Sequence, residues 1–410
     1  MLSLKEVIIS ITNRCNLRCR MCDIPYEKNE ELSTAEWKKV IRDASRLGAQ
    51  TIVFSGGEPL FREDIFELIS FTKNNSLNAC VTSNGHLIDQ QVAANLSASG
   101  VNVVNISIEG MKETHDFLRG AGSFDKAVSA LANLRDYNIE STVASTVSKY
   151  NYAELLYVLE VAKEYKATTV RLQPFNIIFL KDSARQSEFL VDKLDIQKIE
   201  NVVKRFIDLS KEYKIFINPE SYLLKIPAYL TGKKFYPDNC GALWYSCPIN
   251  SKGDVFPCWV EGANNKLIGN VREESLYGLW LSKKRIKMVN TIINNGCQGC
   301  LMSCYDEAFN HNFLKKNIFN KFKKIKKIAD CQRVINKVRQ SLKSQITKFK
   351  LRYRFYTSYR GSLTSILKRR LVGIFNKTRY PEKNSRGGKE AILLEINQVK
   401  NKIKKEIHSL

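Results

Sequence analysis

The chain has 410 residues, of which 44% are hydrophobic and 26% charged, so its composition excludes a disordered protein and predicts about two or three globular domains. It has no run of roughly 18 uncharged apolar residues and no secretion-type start, which excludes a membrane span and a secreted protein. Eleven cysteines in such a chain favour reduced thiols, bound metal and a cytoplasmic location. The net charge of +24 is uneven, because residues 311–410 carry about +23 of it.

Strand-like and helix-like segments alternate over the first 175 residues. Apolar runs typical of strands occur at 6–11, 51–57, 78–85, 101–110, 139–147 and 168–175. Helical patterns lie between them at 33–48, 64–75, 88–100, 123–138 and 152–166. The strands show little polar alternation, which is typical of a parallel sheet covered on its outer side by helices. The pattern therefore predicts an α/β fold with a parallel sheet.

Polar loops follow each of the first four predicted strands. They read CNLRCRMC, SGGEP, TSNG and SIEG, in chain order. The carboxyl ends of parallel strands meet at one edge of a sheet, and the loops there hold ligands. We therefore expect these four loops to form one site.

The first of these loops contains Cys15, Cys19 and Cys22. Thiolates bind soft metals, and four of them complete a cubane iron–sulfur cluster. Three would leave one iron without a protein ligand, and an open position is typical of a reactive metal rather than a structural one. The alternative is a zinc knuckle, which is disfavoured because no histidine lies nearby in the sequence.

The spacing C-x3-C-x2-C after the first strand of an alternating α/β chain resembles the radical S-adenosylmethionine (SAM) superfamily, over roughly residues 5–305. The resemblance implies a partial (β/α)6 barrel. It also implies a [4Fe–4S] cluster held by the three cysteines, with SAM chelating the fourth iron. In that family the reduced cluster cleaves SAM, and the resulting 5′-deoxyadenosyl radical abstracts hydrogen from a substrate.

Two further loops resemble parts of the family's SAM site. Gly56, Gly57 and Glu58 of GGEP resemble the motif that receives the methionine amino group. Glycines at this place let the backbone approach a ligand without an intervening Cβ. Asn84 of TSNG is expected to line the same pocket. Taken alone, GGEP could also be an ordinary turn between a strand and a helix.

The fourth loop and the segment after it supply the remaining candidates. Ser107 and Glu109 of SIEG resemble positions that contact the methionine moiety or the ribose. Arg119 resembles an arginine that pairs with the methionine carboxylate through a charge-assisted contact. Met21 stands where the family often has an aromatic residue. No residue stands out as a radical donor or general base, so the catalytic residues stay unassigned.

A second cysteine-rich region spans residues 240–304, where NSKGDVFPC has a hairpin pattern. The region resembles the SPASM or twitch extension that holds an auxiliary [4Fe–4S] cluster in many radical SAM enzymes. The matching residues are Cys240, Cys258, Cys297 and Cys300. A zinc ribbon is the alternative.

The other cysteines are less clearly assigned. Cys247 and Cys304 are additional candidate ligands, and Cys247 is a candidate to replace Cys240. We expect one auxiliary cluster rather than two. Cys80, in an apolar strand, is expected to be a structural thiol. Cys331 is expected to be free, although a longer cysteine pattern would make it a cluster ligand.

The basic tail mixes lysine and arginine with regularly spaced apolar residues, which suits amphipathic helices with a basic face. Such helices bind anionic membranes, nucleic acids or acidic partners, or simply form a solvated extension. The sequence thus predicts a core at 1–187, a helical connector at 188–235, an auxiliary-cluster domain at 236–310 and the tail at 311–410.

The favoured function is radical-initiated C–H activation of an unidentified substrate. One alternative is crosslinking or dehydrogenation of a ribosomally made peptide; because the sequence starts directly at the first strand, this would need a separate recognition protein. A non-catalytic iron–sulfur sensor or electron carrier is the alternative of another class. The enzyme would need a one-electron reductant such as flavodoxin or ferredoxin, and the tail would place it at the inner membrane surface.

Overall fold

The computed structural model describes residues 4–27, 30–236, 240, 242–295, 297 and 299–302. The predicted basic tail, Cys304 and Cys331 lie outside these described residues. Within the described part, no helix is both long enough and apolar enough to cross a membrane.

Ten strands are described: β1 (Glu6–Thr12), β2 (Thr51–Gly56), β3 (Asn78–Ser83), β4 (Val103–Ser107), β5 (Glu140–Val147), β6 (Thr169–Pro174), β7 (Phe216–Ile217), β8 (Ser246–Ile249), β9 (Asp254–Val255) and β10 (Gly269–Asn270). The helices of the core are α1 (Thr34–Arg46), α2 (Ile65–Asn74), α3 (Gln90–Ser99), α4 (Lys112–Arg119), α5 (Ser123–Asp136), α6 (Leu155–Glu164) and α7 (Ser183–Phe189). The later helices are α8 (Ile196–Tyr213), α9 (Glu220–Leu223), α10 (Ile226–Leu230), α11 (Ala242–Tyr245), α12 (Trp259–Ala263), α13 (Leu276–Leu281) and α14 (Lys283–Asn295).

All these strands belong to one sheet, in the order β10-β9-β8-β1-β2-β3-β4-β5-β6-β7. Strands β1 to β7 pair with their neighbours in parallel, so their carboxyl ends share one edge, which we call the loop edge. The predicted α/β fold with its parallel sheet is confirmed. The predicted hairpin is also present, because β8 and β9 pair antiparallel.

The core forms because the strands are apolar on the side that the helices cover. In β1, the side chains of Val7, Ile9 and Ile11 have no solvent exposure. Helix α1 begins with a capping box, in which the Ser33 side chain accepts from the Glu36 amide and Glu36 accepts from the Ser33 amide. Trp37 is completely buried between this helix and the sheet core.

The structure differs from the sequence expectations in two short helices of the core and in the second cysteine-rich region, where α11 to α14 were not predicted. Helices α4 and α7 were not predicted. Helix α4 buries only His115 and Leu118, which is too few apolar positions to give a periodic signal. Strand β8 pairs in parallel with β1, so the second cysteine-rich region extends the sheet of the core.

Candidate functional site

The loop after β1 carries Cys15, Cys19 and Cys22, which are half-buried and close enough to interact electrostatically. Burial raises the pKa of all three thiols, that of Cys22 to about 12. Arg119 opposes this increase at Cys19, where its Nη1 lies 4.0 Å from the sulfur. The thiols would therefore release protons when a metal binds them.

Gly56 and Gly57 bring the end of β2 against the cysteine loop. The Gly57 amide donates to the Thr12 carbonyl oxygen at 2.7 Å, and the next amide donates to Arg14 at 2.8 Å. A Cβ on Gly56 would lie 2.3 Å from the Thr12 oxygen, and one on Gly57 would lie 2.3 Å from the Arg14 oxygen. Contact with the cysteine loop is thus enough to require both glycines.

Glu58 lies behind this contact and is completely buried. Its carboxylate accepts from the Asn84 amide at 2.8 Å and from the Leu60 amide at 3.3 Å. Burial raises the pKa of Glu58 to about 7. The Asn84 side chain turns to the cysteine loop, where its Nδ2 donates to Asn16 Oδ1 at 2.8 Å and lies 3.7 Å from the Cys15 sulfur. The GGEP, TSNG and cysteine loops therefore meet.

Glu109 and Arg119 form a buried ion pair beside Cys19. Arg119 Nε donates to Glu109 Oε1 at 2.8 Å, while Glu109 Oε2 accepts from the Thr146 amide at 2.7 Å. The resemblance implied separate roles for these two residues toward SAM, whereas the structure pairs them with each other. Ser107 ends β4 and is buried, 8% exposed.

The second cysteine group consists of Cys240, Cys258 and Cys300, which pack together with Val260 and Met302. Burial raises the pKa of Cys258, and the other two thiols add to this increase. The structure therefore brings together three of the four predicted auxiliary ligands.

Cys297 and Cys247 pack in other apolar clusters. Cys297 packs against Val289 and Ile292 of α14. Cys247 is completely buried in β8, in the main core, and interacts electrostatically with Arg285. Nothing in this placement supports Cys247 as a replacement for Cys240.

The donor sets at both places fit iron–sulfur clusters. In the described part of the chain, no three side chains of histidine, cysteine, aspartate or glutamate are placed to bind a single metal ion. The thiolates around a cubane cluster bind different iron atoms, so they need not converge on one point. Both groups offer only soft sulfur donors, which suits iron–sulfur chemistry better than hard cations.

Comparison with family models decides the classification. Residues 9–164 match the model of the radical SAM superfamily. These residues are thus identified as a radical SAM domain. Residues 240–333 match SPASM, an iron–sulfur cluster-binding domain, so the radical SAM domain is followed by the predicted type of extension. This match includes Cys304 and Cys331 and runs past residue 310.

The chain is similar in sequence to proteins with different functional names. It is 31% identical to Fe-coproporphyrin III synthase of Methanosarcina barkeri over 212 residues, which is 50% of this chain and 51% of that protein. The matched region thus spans about half the length of that relative. It is 30% identical to mycofactocin maturase MftC of Mycobacterium tuberculosis, over 64% of this chain and 66% of that protein.

A solved structure has the same fold. SuiB of Streptococcus suis, bound to the precursor peptide SuiA, superimposes with a TM-score of 0.58 and 18% sequence identity. The match covers 71% of this chain and 67% of SuiB.

His115 is a buried residue of the radical SAM domain that the sequence motifs do not identify. Its Nδ1 accepts from the Glu109 amide at 3.2 Å, so the neutral ring carries its proton on Nε2. The ring is completely buried, and burial lowers its pKa to about 3. His115 thus fixes the backbone of Glu109. No sequence signal could have identified it, because α4 buries only His115 and Leu118.

The low pKa of His115 predicts a loss of stability in weak acid. Below its ordinary pKa of 6.5, the unfolded chain binds a proton that the folded chain does not. We expect this residue to reduce the free energy of unfolding by about 2 kcal/mol between pH 8 and pH 5. Urea unfolding at several pH values would measure it. His115→Asn, which keeps an acceptor near the Nδ1 position, should flatten the pH dependence, and Glu113→Gln on the exposed side of α4 should not. Equal pH dependence in all three proteins would contradict the prediction.

Proposed function

We propose that this protein cleaves SAM reductively and uses the radical to abstract hydrogen from an unidentified substrate. The main support is that the three-cysteine loop of a radical SAM domain contacts both the GGEP loop and the Glu109–Arg119 pair. When bound, the [4Fe–4S] cluster and SAM would supply a one-electron cleavage that yields a 5′-deoxyadenosyl radical.

The residues around the cysteine loop have distinct tasks in this proposal. Cys15, Cys19 and Cys22 would hold three irons. Asn84 would orient Cys15, since its amide nitrogen lies 3.7 Å from that sulfur. The backbone beside Gly57 would receive the methionine amino group.

The Glu109–Arg119 pair would bind the methionine carboxylate and the ribose of SAM. Arg119 would attract the methionine carboxylate, because its guanidinium already lies beside the Cys19 sulfur. Glu109 would hold Arg119 in place and accept from ribose hydroxyls, with Ser107 beside it. An electron carrier has no need for a buried arginine–carboxylate pair and a buried glutamate around its cluster. These groups therefore favour the enzyme over the carrier.

The alternative enzymatic function is maturation of a ribosomally made peptide. It is supported by the 30% identity to mycofactocin maturase over 265 residues. The similar identity to Fe-coproporphyrin III synthase keeps a tetrapyrrole substrate equally open. Both substrate classes fit an enzyme that activates C–H bonds.

The second cysteine group, Cys240, Cys258 and Cys300, would hold one auxiliary [4Fe–4S] cluster, and Cys297 would supply the fourth thiolate from the apolar cluster of α14. Complete ligation by protein thiolates would suit electron exchange rather than substrate binding. A cytoplasmic flavodoxin or ferredoxin would supply the electron for SAM cleavage. The basic tail would hold the enzyme at the anionic inner surface of the membrane.

Loss of one N-terminal cysteine should abolish SAM cleavage. We expect Cys15→Ala to give no detectable 5′-deoxyadenosine after anaerobic reconstitution, reduction and addition of SAM, whereas the wild type gives it. Cys80→Ala is the matched control, because this thiol lies on β3 and contacts Asn105 Nδ2 at 3.4 Å. Undiminished 5′-deoxyadenosine from Cys15→Ala, or none from a fully reconstituted wild type, would contradict the proposal.

Iron content should separate Cys258 from Cys247. With two cubane clusters the wild type should hold about eight irons per chain, and Cys258→Ala about four. Cys247→Ala should keep about eight, because Cys247 lies in the main core. The opposite order of the two variants would show that the auxiliary ligands have been assigned wrongly.

Sedimentation with vesicles that contain phosphatidylglycerol would test the role of the tail. We expect the full chain to pellet with them at low salt and to be released at high salt, since the attraction is electrostatic. A chain that ends after residue 333 keeps the whole SPASM match and should stay in the supernatant. Equal pelleting of the two chains would rule out a membrane role for residues 334–410.

A further inference from the structure

The segment between β6 and α7, residues 175–182, lies directly against the N-terminal cysteine loop. The amide of Asp23, which follows Cys22, donates to the Phe179 carbonyl oxygen at 2.9 Å. In return, the Lys181 amide donates to Asp23 Oδ2 at 2.8 Å. The residue next to the third cysteine is thus bonded through its backbone and its side chain to a segment more than 150 positions later in the chain.

Arg185 of α7 completes this contact. Its Nη1 donates to Asp23 Oδ1 at 2.8 Å, and its Nη2 donates to the Arg20 carbonyl oxygen at 2.8 Å. One guanidinium therefore joins two points of the loop that flank Cys22. The Asp23 side chain is only 13% exposed, so this bond is partly shielded from water.

The same segment also reaches the second cysteine group. Ile178 and Phe179 pack against the group of Cys258 and Met302. Leu180, the next residue, packs with Met21 of the first cysteine loop. A few consecutive residues thus touch both cysteine groups.

We infer that Asp23 and Arg185 are positioning residues that fix the Cys22 side of the SAM-binding iron–sulfur site onto the β6–α7 segment. The inference rests on the proposed function, because it assumes a cluster at the first cysteine loop. Partners of metal ligands orient those ligands, and their loss commonly costs about 10–100-fold in metal affinity. The Arg185 guanidinium can bridge Asp23 and the Arg20 carbonyl because it is a planar fork, which a lysine cannot reproduce.

A comparison of four variants in the full-length, reconstituted protein would test this. Arg185→Gln removes both side-chain bonds, and Asp23→Asn removes the charge with little change in shape. Arg185→Lys keeps the charge but lacks the fork. Lys181→Gln is the matched control, because it removes a positive charge from the same segment. The Lys181 side chain pairs with the exposed Glu27 at 2.8 Å. The substitution leaves the backbone bond from residue 181 to Asp23 intact.

Two measurements would report on the first cysteine loop specifically. One is the change that SAM produces in the electron paramagnetic resonance spectrum of the reduced protein. The other is the rate at which a chelator removes the iron that SAM protects. We expect Arg185→Gln and Asp23→Asn to alter the SAM-induced spectrum and to lose this iron about tenfold faster. Arg185→Lys should lie between them and the wild type, and Lys181→Gln should match the wild type.

The outcomes separate the inference from the proposed function. If the wild type shows no SAM-induced change, the proposed function is wrong and the inference falls with it. If the wild type responds, and both Arg185→Gln and Asp23→Asn respond with the same spectrum and iron loss, only the inference is overturned. Asp23→Asn keeps the test decisive where Arg185→Gln fails to fold, because an asparagine fits the same space.

Discussion

The geometry of the candidate site depends on how closely the backbone after β2 approaches the backbone after β1. Two amide–carbonyl bonds, from Gly57 to Thr12 and from Glu58 to Arg14, join the GGEP loop to the start of the cysteine loop. Neither glycine has room for a Cβ, since each would place that atom 2.3 Å from a carbonyl oxygen. Because these bonds come directly after Thr12 and Gly56, the last paired residues of two neighbouring parallel strands, the sheet itself sets where the cysteine loop begins.

The charges buried around this loop are better explained by function than by stability. A buried ion pair such as Glu109–Arg119 is often no more stabilising than a well-packed apolar pair, although removal of one partner alone costs about 3–5 kcal/mol. The fold also keeps Glu58 completely buried, at the cost of a pKa raised to about 7. Departures of this kind concentrate at functional sites, where they are offset by packing elsewhere. Here the apolar strands β1 to β6 provide that packing.

The sequence predicts the parts of this protein whose signals are local. The alternation of apolar strands and capped helices predicts the parallel sheet, and Ser33 marks the start of α1 because its cap is made with a residue three positions on. The edge at which the four polar loops meet follows from the topology alone. The pairing of Arg119 with Glu109 does not, because it depends on α4, whose few buried residues give no periodic signal. The sequence also does not predict that Cys297 and Cys258 pack in different apolar clusters, since the spacing of cysteines does not show which neighbours each of them packs against.

Strand β8 explains how the two cysteine groups come to lie near the same edge of the sheet. It pairs in parallel with β1 although the two are some 240 positions apart, so both strands end at the loop edge. The turn that follows β8 then contacts both ends of the β1–α1 connection that carries the cysteine loop. The Leu32 amide donates to the Ser251 carbonyl oxygen at 2.9 Å, and Ser251 Oγ donates to Asn13 Oδ1 at 3.3 Å. No local sequence pattern predicts such a pairing, because the apolar residues of a strand do not show which distant strand it pairs with. The SPASM region is therefore joined to the radical SAM domain by more than the connecting chain. It shares a sheet with that domain, because β8 and β1 are joined by backbone hydrogen bonds.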